Sequence, residues 1–126
     1  MAISFLGTSV GAAATNGGNA TVTLPTNSAG DVVIAFCTVG SSRAATLTVR
    51  TSVVAETFTQ IVTTIHTSNC HFGVFRQVLT DPRTQAVFIG TANASDSVAG
   101  VAYVFNGVDS TSPEDVTPTS TNGSGT

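Results

Sequence analysis

Two histidines are the first residues whose chemistry could matter, because His66 and His71 lie five positions apart. If a hairpin turn separates them, they could sit across two neighbouring strands and share a metal ion. A protein metal site needs three or four ligands, and the sequence offers no obvious further ligand near this pair. We therefore expect both histidines to form local hydrogen bonds near a turn, and we expect no metal and no cofactor.

A nucleophilic site is the second possibility, because Cys70, His71 and Asp81 supply the residue types of a catalytic triad within a short segment. Adjacent residues of a strand point to opposite faces, so the side chains of Cys70 and His71 would not meet. The sequence also lacks a GxSxG segment, which places a serine on a sharp strand-to-helix turn in many hydrolases. These features predict that the chain is not an enzyme.

A carboxylate pair for glycoside hydrolysis is not indicated either. Asp31, Asp81 and Asp96 fall in predicted turns, where an aspartate commonly bonds its own backbone. The sequence has no tryptophan and one tyrosine, so an aromatic platform for a sugar ring is poor, which weakens both a hydrolase and a lectin interpretation. The other acids are Glu56, Asp109, Glu114 and Asp115.

The two cysteines, Cys37 and Cys70, are 33 positions apart and form no CxxC motif. Free cysteine is among the most buried residue types. We expect two buried thiols in strands. The alternative is a disulfide, which would require neighbouring strands and exposure to an oxidising environment.

The sequence has 126 residues, a length that suits one domain. Few of its residues are charged. Charged residues make up 9%, against roughly 25% in typical soluble domains. Lysine is absent, and the net charge is −3. Because phosphate binding needs clustered cations, these values argue against a nucleic-acid partner. The four arginines are scattered at Arg43, Arg50, Arg76 and Arg83.

The first residues, Met1 to Leu6, lack the positive segment and the long apolar run of a secretory signal. No apolar stretch approaches the roughly 18 residues of a membrane-spanning helix, so we expect no membrane association. These features predict synthesis in a host cytoplasm without a signal peptide, a history that the components of a virion share.

Short β-branched segments separated by Gly, Asn, Ser and Pro predict strands. The segment 32–39 is almost continuously apolar, so it is predicted to be central with both faces covered. The segment 57–67 reads as one or two strands, although its apolar residues also fit helical spacing. Residues 7–19 read as a long loop. The other predicted strands are 3–6, 20–24, 45–49, 70–79, 85–90 and 98–105.

Seven or eight short strands at intervals of roughly ten residues predict an all-β fold, an antiparallel β-sandwich of jelly-roll-like form. Residues 1–110 form this predicted domain. Residues 111–126 are rich in Thr, Ser and Pro and almost free of apolar residues. Such a segment buries too little surface to order by itself, so it is predicted to be a polar tail or an arm that lies along a neighbouring subunit.

Three segments together carry a resemblance. They are Ile3–Gly7, Leu24–Phe36 with its Ala-Gly-Asp turn, and Tyr103–Asp109 followed by Ser112 and Pro113. In this order they resemble a loose group of β-sandwich proteins of tailed bacteriophages and of some bacterial surfaces. The resemblance implies that Asp31 caps the turn before the core strand and that Asp109 does the same in its own turn. Members of the group continue beyond the last segment, so either this sandwich is minimal or a partner strand completes it.

The resemblance also implies a virion or surface component. The leading hypothesis is a non-enzymatic virion structural protein that decorates or cements a capsid. Its expected partners are the major capsid protein or other virion proteins, and we expect a homo-oligomer. The alternative is a receptor- or carbohydrate-binding module of a phage tail or a cell-surface protein.

Overall fold

The computed structural model describes residues 2–15, 18–40, 46–53, 56–67, 70–91 and 96–111. These ranges hold nine strands and no helix, which confirms the all-β prediction. The described residues therefore include no helix that could cross a membrane. The strands are β1 (Ser4–Thr8), β2 (Ala12–Ala14), β3 (Ala20–Thr23), β4 (Val32–Gly40), β5 (Thr46–Thr51), β6 (Thr59–Thr67), β7 (Cys70–Val78), β8 (Gln85–Thr91) and β9 (Ser97–Asn106).

The strands form two antiparallel sheets that pack face to face as a sandwich. The larger sheet has the order β1-β9-β4-β7-β6, and β2 pairs with β9 next to β1. Thus β1 and β2 share one edge, β1 beside the end of β9 and β2 beside its beginning. The smaller sheet has the order β3-β8-β5.

This strand order is that of a jelly roll with one change, which concerns β6. Just before β6, the chain still pairs with the smaller sheet: Thr57 is bridged to Arg50, and the Phe58 N–H donates to the Val49 carbonyl at 2.8 Å. It then crosses to the larger sheet and pairs with β7. The predicted jelly-roll-like sandwich is confirmed, with one strand that passes from one sheet to the other.

The core lies between the sheets and follows the two-residue period of the strands. On β4, Val33, Ala35, Cys37 and Val39 point inward and are fully buried. Most inward residues are small, and three phenylalanines supply the bulk: Phe58, Phe75 and Phe88. This alternation of small and large side chains lets the two sheets approach closely.

The two sheets approach each other closely at Gly100 on β9. A Cβ atom placed there would lie 2.5 Å from the nearest ring atom of Phe88 on β8, which is 0% exposed. Gly100 has an ordinary backbone conformation, so its role is steric. The absence of a side chain leaves room for the ring.

One prediction about elements is wrong. Residues 12–14 form β2 within the predicted loop 7–19, although alanine has a low strand propensity. Pairing with β9 overrides that preference, since Ala13 lies opposite Ala99. The strand prediction for 57–67 is confirmed by β6, and its helical alternative is excluded.

The prediction for the segment 32–39 is half right. β4 is central, between β9 and β7, but only its inner face is covered. Ile34, Phe36 and Thr38 point away from the core and are half-buried. The predicted tail, 111–126, lies outside the described residues except for Thr111.

Candidate functional site

The two histidines flank a hairpin, as the sequence suggested. Ile65, next to His66, pairs with His71 across the β6–β7 ladder. The His71 side chain is buried on the inner side of the larger sheet, and the side chain of His66 lies outside the described residues. Among the side chains that are described, no three His, Cys, Asp or Glu residues cluster as a metal site would require.

The residues of the possible triad do not come together. Cys70 is half-buried on the outer face of β7, His71 is buried on the inner face, and Asp81 is exposed beyond the end of the strand. The alternation expected of adjacent strand residues is therefore present. Nothing in this arrangement brings a base to the Cys70 thiol.

The cysteines are free and occupy different environments. They lie on neighbouring strands, but Cys37 pairs with Gly73, whereas Cys70 pairs with Gly40 and contacts the Thr38 hydroxyl at 3.3 Å. Cys37 points into the core, where burial raises the pKa of its thiol from 9.0 to about 12. The prediction of a buried thiol is right for Cys37 and wrong for Cys70.

Asp31 joins two of the segments on which the family resemblance rests. One carboxylate oxygen accepts the Ser28 N–H at 2.8 Å, which closes the turn before β4. The other accepts the Asn106 side-chain amide at 2.7 Å, and Asp31 is 2% exposed. The predicted turn-capping role of Asp31 is confirmed, and its bond to the end of β9 is a feature that the sequence did not indicate.

Glu56 is the centre of a second polar cluster, which the sequence analysis missed. Its carboxylate is buried and accepts hydrogen bonds from Arg83 Nε, from the Thr51 hydroxyl, and from both the N–H and the hydroxyl of Thr80. Burial raises the pKa of Glu56, but the bonds from Arg83, Thr80 and Thr51 together outweigh it, and the net pKa lies below its ordinary value. The cluster holds the end of β5 against the turn that follows β7.

The remaining acids are at strand ends. Asp81 is exposed and lies 3.4 Å from the Arg83 guanidinium, Asp96 is buried just before β9, and Asp109 accepts the Thr111 N–H at 2.8 Å, as its predicted turn role requires. Glu114 and Asp115 lie outside the described residues. Within those residues, no buried side-chain nitrogen or oxygen lacks a hydrogen-bond partner. We interpret these clusters as supports of the fold.

The outer surface of the larger sheet is the feature that the fold leaves open. Of the seven phenylalanines and one tyrosine of the chain, five lie on this surface by their strand register. They are Phe5, Phe36, Phe72, Tyr103 and Phe105. We call this surface the aromatic face.

The rings of the aromatic face form a connected row. Phe36 contacts Phe72 and Tyr103 at ring-centroid distances of 6.2 and 5.6 Å, and Phe5 contacts Tyr103 and Phe105 at 6.3 and 5.4 Å. Distances of this size are typical of favourable aromatic pairs. The row thus crosses four strands, β7, β4, β9 and β1.

Two hollows lie beside Phe36 on this face. One, of about 450 Å³, is lined by small residues that include Ala13, Thr38 and Ala99, with Phe36 and Phe72 at its side. The other, of about 290 Å³, is lined by Ile34, Phe36, Tyr103 and Phe105. The aromatic face is therefore uneven, with a bulky end and an end of small side chains.

A second exposed apolar feature lies in β1 and in the segments on either side of it. Ile3, Leu6 and Val10 are 66%, 42% and 88% exposed. We call these three residues the N-terminal apolar segment. Beside it, a groove lined by Val10, Thr21 and Thr23 separates β2 from the free edge of β3.

Alternation along the predicted strand 98–105 puts Ala99, Val101, Tyr103 and Phe105 on one face, but it could not tell whether that face was covered. A usable signal was the size difference between the two faces of the segment 32–39. The buried face there holds small residues, whereas the other face holds Ile34 and Phe36.

Comparison with protein families, with curated proteins and with solved structures finds no match to this chain. The aromatic face and the N-terminal apolar segment are therefore the features of the described structure that bear on function.

Proposed function

We propose that this chain is a non-enzymatic virion structural protein, a capsid decoration or cement protein that binds neighbouring shell subunits. The major capsid protein or another virion protein is its partner. The segments that resemble phage β-sandwich proteins support the assignment to a virion. The exposed apolar side chains support the mode of action, in which a partner covers apolar surface.

The observation that carries this proposal is the N-terminal apolar segment. The three aliphatic side chains lie within eight residues of chain and are 42% to 88% exposed. Their burial by a partner would favour binding. Val10 also lines the open groove beside β3. All three residues lie in or next to β1 and β2, at an edge of the larger sheet, where a neighbouring subunit could reach them without unfolding the domain.

Covering this segment would stabilise the shell by mass action, because a protein that binds only the assembled form shifts the equilibrium toward it. Few charges on the chain also mean little repulsion between closely spaced copies. A decoration protein needs no catalytic group and no bound cofactor for this task.

The second candidate is a receptor- or carbohydrate-binding module, and the aromatic face favours it. Clustered rings can stack on sugars, and the concentration of five aromatic residues on one surface removes part of the compositional argument against a lectin. A small-molecule site also needs several well-placed polar groups among its apolar walls. Around Phe36 the described residues offer the hydroxyls of Thr38 and Tyr103.

Antibody labelling of particles purified from the source culture, viewed by electron microscopy, tests the proposal. Regular label over particle heads is expected. Label confined to tails or to cells would favour the receptor-binding candidate. Particles without label, with the protein free in the medium, would overturn the virion assignment.

A further inference from the structure

The two outer surfaces of the sandwich differ in chemistry. The smaller sheet presents a polar surface that includes Thr21, Thr23, Arg50 and Gln85. The aromatic face of the larger sheet presents rings and aliphatic side chains. The same chain thus builds one surface suited to water and one that water solvates poorly.

We propose that the aromatic face is the interface of a symmetric dimer, in which a second copy of this chain packs its own aromatic face against it. The two larger sheets stack at the spacing of packed sheets, about 10 Å. The dimer is then a four-layered sandwich with the smaller sheets outside. The inference goes beyond the proposed function, because it names an interface between copies of this chain.

The size of the face meets the need of a stable dimer. Five strand positions at about 4.8 Å and seven residues at about 3.3 Å cover about 24 Å by about 23 Å, or about 550 Å² per copy. Two copies bury about 1,100 Å² in projection, above the about 1,000 Å² expected of a specific interface. The largest apolar patch of a typical monomer covers about 300–600 Å² and is often functional, so a face of about 550 Å² lies near the upper end of that range.

The charge distribution permits a second copy on this face. Among the described residues, the carboxylates are at strand ends or in turns, and the register puts one charged residue, Arg76, on this surface. A charge-poor centre with aromatic residues is typical of homodimer interfaces. Two identical faces can therefore approach without bringing like charges together at the centre.

The shape of the face is self-complementary under one symmetry operation. Phe105 and Tyr103 are at one end of β9, and Ala99, opposite Ala13, is at the other. A two-fold axis that runs between the sheets and across the strands, near Val101, places the bulky end of each copy over the small-residue end of the other. The Tyr103 ring of one copy then faces the 450 Å³ hollow of the second copy.

The polar segment 112–126 is a poor alternative occupant. It contains one aliphatic residue of any size, Val116, together with Glu114 and Asp115. Covering an aromatic surface with serines, threonines and carboxylates would desolvate polar groups without an apolar gain.

Sedimentation equilibrium of the purified full chain tests the dimer. At about 100 µM protein, which detects dissociation constants in the micromolar range, the wild-type chain is expected at twice its mass of 12.7 kDa. Val101→Arg places two like charges near the axis and should weaken dimerisation at least about 100-fold. The matched control, Thr21→Arg on the exposed surface of the smaller sheet, should remain dimeric.

A second variant separates specific packing from general stickiness. Ala99→Phe makes the face more apolar but fills the hollow, so it should weaken the dimer about tenfold, as overpacking does. Circular dichroism and the unfolding temperature check that each variant is folded. If Val101→Arg does not fold, Ala99→Phe alone decides, and tighter association of this variant would overturn the proposed geometry.

The outcomes also separate this inference from the proposed function. A wild-type chain that stays monomeric overturns the dimer. If that monomer binds particles and Val101→Arg abolishes the binding, a shell subunit occupies the face, and the proposed function stands without the dimer. If that monomer instead binds a glycan in a thermal-shift screen, the face is a sugar site. A dimer that binds no particle leaves the interface intact and removes the virion role.

Discussion

At the scale of single residues, Glu56 shows how a charge can be kept inside a fold that has few of them. Its carboxylate is buried, and the described structure surrounds it with four donated hydrogen bonds from Arg83, Thr80 and Thr51. A buried carboxylate is costly without such partners. The cluster therefore stabilises the fold only as long as Glu56 is ionised.

Replacement of Glu56 by glutamine should lower the free energy of unfolding by about 1–2 kcal/mol at pH 7, because charge-assisted hydrogen bonds become neutral ones. The pKa of Glu56 is below its ordinary 4.5 in the folded chain, so its contribution is present above pH 4.5 and is lost as the pH falls through the folded value. Urea unfolding at pH 7, 4.5 and 3 should show a weaker acid dependence in the variant.

Asp81→Asn is the matched control, because Asp81 contacts the same arginine but its side chain is 70% exposed. It should change stability by less than about 0.5 kcal/mol. An equal loss in both variants would contradict the role of the buried cluster.

Cys37 should be inert toward thiol reagents in the folded chain at pH 8. Its pKa is raised from 9.0 to about 12, so the unfolded chain ionises first, and stability is lost between pH 9 and pH 12. At pH 10 the loss from this group is on the order of 1 kcal/mol. In a Cys70→Ala background, a thiol reagent reports on Cys37 alone. Cys37→Ala should remove the loss of stability above pH 9 that this thiol causes. Rapid labelling of Cys37 at pH 8 without unfolding would contradict its burial.

The turn roles of Asp31 and Asp109 could be predicted, because an aspartate in a turn commonly accepts hydrogen bonds from nearby backbone N–H groups. The partners of Glu56 could not, since Thr80 and Arg83 are 24 and 27 positions further along the chain, in the turn that follows β7. Local chemistry is readable from a sequence, whereas contacts between distant segments depend on the register of the sheets.

At the scale of elements, the close contact between β8 and β9 depends on Gly100. Gly100→Ala should destabilise the fold by about 1–3 kcal/mol, because the new methyl group would overlap the buried Phe88 ring. Gly11→Ala is the matched control on the neighbouring segment, where a Cβ atom would lie 3.8 Å from the Gly100 carbonyl. Chemical unfolding measures both variants.

A smaller side chain at position 88 should partly restore the stability of Gly100→Ala. Phe88→Leu combined with Gly100→Ala is expected to cost less than the sum of the two single changes, since the residues share one space. Strict additivity would mean that the contact is not the cause.

The N-terminal apolar segment carries a prediction for binding. Ile3→Ser, Leu6→Ser and Val10→Ser together should leave the unfolding temperature nearly unchanged, because these side chains are exposed. Binding to particles that lack the protein, measured by co-sedimentation, should weaken at least about tenfold, since several apolar contacts are lost. Val53→Ser, at a side chain that is 45% exposed elsewhere, is the control and should bind as the wild type does. Equal binding by both variants would contradict a role for the segment.

Most strands were predictable because their β-branched residues and turn residues agree with each other. β2 was not, because Ala12–Ala14 carries no strand signal of its own and forms through its neighbour β9. The open outer side of β4 was missed because a continuous apolar run is typical of a strand that is covered on both faces, although the larger residues Ile34 and Phe36 on one face were a signal for it.

At the scale of the whole molecule, the class of fold followed from the spacing of the turns. The passage of the chain from the smaller to the larger sheet at residues 58–59 did not follow from that spacing. It depends on which sheet edge was free to pair with β6. The aromatic face arises at this same scale, from side chains of β1, β4, β7 and β9 that no single segment reveals.

The pairing of Ser4 with Asn106 has a consequence for how the protein is made. β9 lies between β1 and β4 in the larger sheet, so both of those strands leave the ribosome with a free edge before their shared partner is synthesised. Such edges can pair with other chains, and non-local pairings of this kind form slowly, in milliseconds to seconds. Newly made copies therefore pass through an interval in which two strand edges are open to association with other chains.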